Sequence, residues 1–359
     1  MNKYKVCVYA ICKNEAKHVK RWLKSVQDAD YICVLDTGSI DNTLELFEGS
    51  KAIVKQKEII PWRFDIARNE SLKLIPKDTD ICICLDLDEI LLPGWRKYLE
   101  QDWKENTTRM QYVYNWKLDK NNVPIISFHG EKIHSLKNYY WENPVHEILK
   151  YNNKTENIVF SEKIIINHYP DSKKSRSSYL PLLELSVKEN PENDRNVHYL
   201  GREYMYYKKW NKSIDMLIKH LNLKSATWKD ERCASMRYIS KCYINLKRYD
   251  EAEMWLKKAI NESPYLREPY FELGYLYYIL NEFYLSKIYL LKCLKIKEKS
   301  KSYLNEFFCW DGTVEDILSV CEFNLGYYKA SLKYAKKALK LKPNDERIKE
   351  NIEKIKKYL

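Results

Sequence analysis

The sequence predicts two architectures in one chain: an α/β half built on a mostly parallel sheet, then an all-α half built from repeated helix pairs. The first follows from short β-rich runs that alternate with amphipathic stretches between Lys5 and about Leu92, because strand–helix–strand alternation requires crossovers and therefore parallel strands. The second follows from a pattern that recurs four times after Arg195. A third observation limits both: no stretch approaches the roughly 20 apolar residues needed to span a bilayer, and the apolar start before Lys13 is too short for a signal peptide. The chain therefore reads as a soluble, cytoplasmic protein without a membrane span.

In chain order, "KVCVYAIC" reads as a strand, "NEAKHVKRWLKSVQ" as an amphipathic helix and "YICVLDTGS" as a second strand. "DNTLELFEG" reads as a helix stopped by Gly49, "KAIVKQKEI" as a third strand, "DIARNESLKLI" as a helix and "DICICLDLDE" as a fourth strand. Beyond Trp95 the rhythm fades, leaving "RMQYVYNWKL" and "KIIINHYP" as strands around an aromatic-rich middle. Residues 1–170 form this sheet domain. Residues 171–194 form a linker and a helix, the linker marked by the Ser-Lys-Lys-Ser-Arg-Ser-Ser run from Ser172 to Ser178 and the helix by "YLPLLELSVKEN". Residues 195–359 form the repeats, which align on Trp210, Tyr249, Phe283 and Tyr328, with a small residue three positions later at Ser213, Ala252, Ser286 and Ser331.

Charge is unevenly divided. Residues 1–170 carry 25 Lys and Arg against 24 Asp and Glu, whereas the remainder carries 37 against 26, so nearly all of the net +12 belongs to the second half. Solvated lysine faces account for that excess, and no nucleic-acid partner is expected. The ten cysteines lie in strand-like and helical runs without a paired Cys-x-x-Cys, which fits reduced core residues.

The chemistry concentrates at strand ends, where ligands collect in parallel sheets. Asn14 and Glu15 follow the first strand, Asp36 to Asp41 the second, and Asp86, Asp88 and Glu89 the fourth. Strand alternation along "ICICLDLDE" puts Asp86 and Asp88 on one side. Two convergent carboxylates suit a hard divalent cation that bridges phosphates. Asp-x-Asp alone is also what a solvated strand end looks like. Arg68 could pair only with Asp65 or Glu70 on its own helix, and Glu15 could only support a helix N-terminus.

Four segments in fixed order, "ICKNEAKHVKRWLKSV", "YICVLDTGSIDNTLEL", "FDIARNESLKLI" and "DICICLDLDEIL", together resemble the nucleotide-sugar-binding half of family 2 glycosyltransferases of the GT-A fold, over about residues 4–95. The resemblance implies a nucleotide-diphosphate sugar, a UDP-sugar first, held at the sheet edge through Mn²⁺ or Mg²⁺. It puts Glu15 and Asp36 at the nucleoside, Arg68 at the nucleotide, Asp86 beside ribose or metal, and Asp88 on the metal. Thr37 departs from the second Asp of many members, which leaves the base that is read open. The helical unit resembles the tetratricopeptide repeat, with its aromatic at the helix–helix turn and its period of about 34 residues; Ser300 to Trp310 reads as an insertion.

"YYWENPVHEIL" and "IIINHYP" resemble the acceptor side of the same family, particularly members with a tetratricopeptide tail, among them bacterial peptide glycosyltransferases that modify bacteriocin cysteines. Inverting transfer needs a base. Glu147 is the first choice, with His146 holding the diphosphate or orienting Glu147. His168 either closes the metal site beside Asp88 or simply caps a strand. The implied partners are the nucleotide sugar and a protein or peptide acceptor bearing Cys or Ser/Thr, with a homodimer possible. The rivals are transfer to a lipid or surface polysaccharide, and an interaction protein whose first domain is an inactive remnant.

Overall fold

The computed structural model describes residues 3–171, 179–300 and 302–359. The chain divides into two compact units, Met1–Ser186 and Val187–Leu359. The Ser172 to Ser178 run, expected as a linker, lies outside the described residues.

The first unit is a mixed α/β sheet domain. Its strands are β1 (Val6–Cys12), β2 (Tyr31–Asp36), β3 (Ala52–Gln56), β4 (Ile81–Cys84), β5 (Glu89–Leu91), β6 (Arg109–Leu118), β7 (Pro124–Ser135), β8 (Tyr139–Glu142), β9 (Ile148–Tyr151) and β10 (Ile158–His168). Its helices are α1 (Ala16–Ser25), α2 (Phe64–Leu72) and α3 (Trp95–Asp102), and α4 (Tyr179–Glu189) spans the boundary between the units. Eight strands form one sheet in the order β3-β2-β1-β4-β7-β6-β10-β5. The β3-β2-β1-β4 half is parallel throughout. Beyond β4 the sheet is mixed: β7 runs antiparallel to both β4 and β6, β10 runs parallel to β6, and β5 runs antiparallel to β10.

Strand β1 lies inside the sheet, between β2 and β4, and its residues are apolar on both faces. Val6, Val8, Ala10 and Cys12 pack with Trp22 of α1 and Trp95 of α3, while Cys7 and Tyr9 pack with Cys33, Cys82 and Cys84 beneath Tyr139, Trp141 and Leu149. The second layer comes from a β8–β9 hairpin that the sequence left inside an aromatic-rich middle. All ten cysteines are free and buried. The helix expected over "DNTLELFEG" is only a single 3₁₀ turn at Glu45–Phe47. Asp41 instead accepts the Thr43 and Ala16 N–H groups, a local alternative to helix initiation, and Gly49 ends the segment at φ 73°.

The second unit consists of helix pairs: α5 (Asp194–Tyr206) with α6 (Trp210–Asn222), α7 (Lys229–Asn245) with α8 (Tyr249–Glu262), α9 (Arg267–Ile279) with α10 (Phe283–Lys295), and α11 (Thr313–Asn324) with α12 (Tyr328–Leu341), followed by α13 (Glu346–Lys356). Trp210, Tyr249, Phe283 and Tyr328 each open the second helix of a pair. The small residues three positions on are fully buried, and in three of the four pairs a hydrogen bond ties that position to a small residue on the first helix. Ser213 Oγ donates to the Gly201 carbonyl at 2.7 Å, Ser240 Oγ to Ala252 at 3.0 Å and Ser331 Oγ to Ser319 at 2.9 Å. A Cβ on Gly201 would stand 2.6 Å from Leu217, so the approach requires glycine.

The insertion is not a loose loop. Tyr303 OH donates to Glu231 at 3.0 Å, Leu304 joins the core of α6 and α7, the Glu306 N–H donates to Glu268 at 3.1 Å, and Phe308 lies against Phe271. Residues 302–310 therefore cover first-helix faces of three pairs.

Candidate functional site

Strand β4 stops at Cys84, before the carboxylates, so the alternation argument for Asp86 and Asp88 does not hold. These residues form a tight turn into β5: Glu89 N–H donates to the Asp86 carbonyl at 2.9 Å, and the Glu89 carboxylate accepts the Asp86 N–H at 2.9 Å. The turn sends the two aspartates to different partners.

Asp86 faces α2 and β7. Arg68 grips both of its oxygens, at 2.8 and 3.1 Å, and Lys132 Nζ lies 2.9 Å from Oδ2. Burial pushes the Asp86 pKa up, but Arg68 and Lys132 outweigh it and hold the carboxyl well below its ordinary range. Lys132 also reaches Glu89 at 3.1 Å, and Tyr114 OH donates to the same carboxylate at 2.7 Å. Burial keeps the Glu89 pKa raised despite Lys132.

Arg68 is the hub. Besides Asp86, its guanidinium bonds Glu147 Oε1 at 2.5 Å and Cys84 Sγ at 3.1 Å, and it lies 5.0 Å from the centre of the Trp141 ring. Desolvation disfavours its charge, yet the surrounding anions raise its pKa well above normal. Neither Asp65 nor Glu70 pairs with Arg68: Asp65 pairs with Arg63, and Glu70 with Lys57 and Lys73.

Glu147 ends the loop between β8 and β9, and α2 positions that hairpin. Asn69 exchanges two 2.8 Å hydrogen bonds with the Trp141 backbone, and Phe64 N–H donates to Pro144 at 3.0 Å. Glu147 Oε2 has no hydrogen-bond partner among the described residues. His146 takes a left-handed conformation, φ 52°, and meets Tyr179 edge-on at 5.6 Å. Such a conformation is uncommon outside glycine and costs of order 1–3 kcal/mol.

Asp88 faces β10. The β5–β10 ladder puts His168 opposite Glu89, and Tyr169 N–H extends it to the Asp88 carbonyl at 2.8 Å. His168 Nε2 consequently stands 3.4 Å from Asp88 Oδ2. Its Nδ1 is held at 3.1 Å by the Trp116 carbonyl while the ring stacks on Trp116 at 4.4 Å. Burial lowers the His168 pKa, but Asp88 more than compensates and the net shift is upward.

Asp36 is fully buried. Its carboxylate accepts Gly38 N–H and Ser39 N–H at 3.0 Å each, and the Ser39 hydroxyl. Burial raises its pKa, and the Ser39 and Gly38 bonds overcome that and lower it. Asp36 therefore holds the Thr37–Ser39 loop in shape. Glu15 stands at the N-cap of α1 without capping through its side chain; its N–H donates to Thr43 at 2.8 Å. The structure thus joins Arg68, Asp86 and Glu147 in one network and Asp88 with His168 in a second, whereas Glu15 and Asp36 belong to the β1 and β2 ends.

Two cationic or basic groups escaped the sequence reading. Lys132 sits on an unrecognised strand. His18, on α1, is buried, with Nδ1 3.0 Å from Arg21 and Nε2 without a hydrogen bond; Asp88 acts on it electrostatically. Burial lowers its pKa. Its only sequence signal was its place in the first turn after β1.

The sequence is similar to two curated glycosyltransferases. These are the SPbeta prophage-derived glycosyltransferase SunS of Bacillus subtilis strain 168 and the glycosyltransferase SunS of Bacillus phage SPbeta. Each is 24% identical over 287 residues, covering 72% of this chain and 62% of the relative, so the chain spans under two thirds of their length. Residues 239–265, 268–300 and 317–345 match the tetratricopeptide repeat family. Among solved structures, MamA covers 50% of this chain and 99% of its own at 19% identity and a TM-score of 0.39. The thermophilic tetratricopeptide protein TTC0263 of Thermus thermophilus covers 50% and 89% at 18% identity and 0.37. No helix among the described residues is long and apolar enough to cross a membrane.

As a fit for a divalent cation, the Asp88–His168 pair has the right chemistry. It offers one carboxylate and one imidazole whose Nδ1 is already committed to a carbonyl, the usual outer support of a metal-ligating histidine. A nitrogen in the set favours Mn²⁺ over Mg²⁺. Asp86 fits less well, since two cations already occupy its oxygens.

Proposed function

We propose that the chain is a metal-dependent, inverting glycosyltransferase of the GT-A type that moves a sugar from a UDP-sugar to a peptide or protein side chain. The observation that carries the proposal is the Asp88–His168 pair beside a network with more anions than cations. Arg68, Lys132 and, at most, His168 face Asp86, Asp88, Glu89 and Glu147. An anionic diphosphate would be repelled by such a site unless a cation came with it. Similarity to SunS supports the reaction class.

Asp88 and His168 would hold the cation, which when bound would neutralise the donor diphosphate. Glu15 and the Asp36 loop lie at the strand ends where the nucleoside would sit. Arg68 fixes Asp86 and Glu147 relative to one another. Glu147 takes the acceptor's proton as its nucleophile forms the bond to C1, the C1–oxygen bond to the diphosphate breaks, and UDP leaves with inversion. His146, held in its unusual backbone state, sets the Glu147 loop. The helical tail recruits the acceptor; because residues 302–310 already cover first-helix faces of α5, α7 and α9, these residues form part of any contact made there.

The test is mass spectrometry of candidate peptides incubated with UDP-sugars and Mn²⁺. Mass gain of one sugar on Cys, Ser or Thr is expected. Neither transfer nor donor hydrolysis with any nucleotide sugar would support the inactive-remnant reading.

A further inference from the structure

The helical unit contains a second cluster of ligating side chains, which sugar transfer does not use. His198 on α5, His220 on α6 and Glu231 on α7 are all buried, and one ligand atom of each lies within 4.8 Å of the others. Both imidazoles bond the same hydroxyl: Ser235 Oγ is 2.7 Å from His198 Nδ1 and 2.9 Å from His220 Nδ1. His220 Nε2 lies 3.4 Å from Glu231 Oε1, whose sister oxygen accepts from Tyr303 OH at 3.0 Å. His198 Nε2 is buried with no hydrogen-bond partner.

Proton counting shows why protein groups alone leave this arrangement incomplete. A serine hydroxyl has one proton, so it donates to only one imidazole and must accept Nδ1–H from the other. If it donates to His220, that ring carries its proton on Nε2, aimed at Glu231. His198 then presents a bare Nε2 lone pair in the interior, at a cost of about 1–3 kcal/mol. A cation removes the conflict. Both rings then carry Nδ1–H, both donate to the two lone pairs of Ser235 Oγ, and both Nε2 lone pairs become ligands.

We propose that His198, His220 and Glu231 bind one divalent transition metal of the zinc class, with Ser235 orienting both imidazoles and Tyr303 orienting the carboxylate. Two imidazoles and one carboxylate suit Zn²⁺ and leave a fourth position for solvent. Two imidazoles with a single carboxylate do not suit Mg²⁺ or Ca²⁺, cations that rely on several anionic oxygens. Bound metal ties α5, α6 and α7 together, and through Tyr303 it also ties down the insertion.

The full chain carrying Asp88→Asn, which removes the sheet-edge pair, should be stripped with chelator, loaded with Zn²⁺ or Co²⁺ and desalted. One equivalent of Zn²⁺ is expected to remain, Co²⁺ should show the visible bands of a four-coordinate centre, and the melting temperature should rise with either. Adding His198→Gln or Glu231→Gln should weaken binding at least tenfold. Glu231→Gln keeps the side-chain shape, so it reports even if His198→Gln fails to fold. No retained metal, or equal retention after Glu231→Gln, would overturn the assignment and leave a metal-free hydrogen-bonded chain in its place.

Discussion

Both units bury ion networks, but they close them differently. In the helical unit Arg237, 1% exposed, meets Glu272 at 2.6 Å and Glu306 at 3.2 Å, and Lys241 meets Glu272 at 3.1 Å. Glu306 comes from the insertion, so this network locks a connecting segment onto α7 and α9. At the sheet edge, Asp86 and Asp88 remain 28% and 23% exposed, and Glu147 keeps one oxygen unbonded. The helical network balances Arg237 and Lys241 against Glu272 and Glu306, even though Glu272 Oε2 is itself buried without a hydrogen bond, whereas the sheet edge sets Arg68, Lys132 and His168 against Asp86, Asp88, Glu89 and Glu147. The difference teaches where to look for a ligand: buried charge alone marks structure, whereas charge that is organised but incompletely neutralised marks a site.

The largest effect should come from Glu147→Gln, which keeps shape and removes basicity. Transfer should fall roughly 10²–10⁴-fold with UDP affinity nearly unchanged. An equal loss of UDP binding would move Glu147 to the donor site. With a thiol acceptor the deficit should shrink as pH approaches the thiol's pKa, because a thiolate needs less help. The balanced network should respond in the opposite way. Arg237→Met leaves Glu272 with Lys241 only, so denaturant titration should show a loss near the low end of about 3–5 kcal/mol, with no change in UDP affinity.

A smaller effect concerns Asp36, whose folded pKa is depressed. Its stabilisation is fully present above the unfolded value, about 3.9, and is lost as pH falls through the folded one. Wild type should therefore melt above Asp36→Asn at neutral pH, by an amount corresponding to about 1 kcal/mol, and the gap should close in acid. A gap that widens on acidification would contradict the role given to its hydrogen bonds.

Local pattern made much of this architecture readable. The β1-to-β4 half shows continuous apolar runs bounded by polar strand ends, and the repeats show aromatic residues at the positions that open their second helices. Strand β7 was hidden because "PIISFHGEKIHS" mixes proline, glycine, histidine and charge, and is apolar on neither face for most of its length. Gly130 marks it only in three dimensions, where a Cβ would stand 2.4 Å from the Tyr112 ring. Lys132 was lost with it, since its meeting with Asp86 depends on β7 pairing with β4 far along the chain. The aspartates were legible as chemistry, but their directions were not: a turn stabilised by Glu89, not strand alternation, separates them.

The central claim is that the sheet edge binds a nucleotide diphosphate through a cation held by Asp88 and His168. Calorimetric titration of UDP into wild type and Asp88→Asn, with Mn²⁺ and with excess chelator, tests it most directly. Wild type should bind UDP with Mn²⁺ and at least tenfold more weakly in chelator, a difference of about 1.4 kcal/mol. Asp88→Asn should remain folded and lose that Mn²⁺-dependent increment. Equal UDP affinity in chelator, or an undiminished Mn²⁺ increment in Asp88→Asn, would contradict the account.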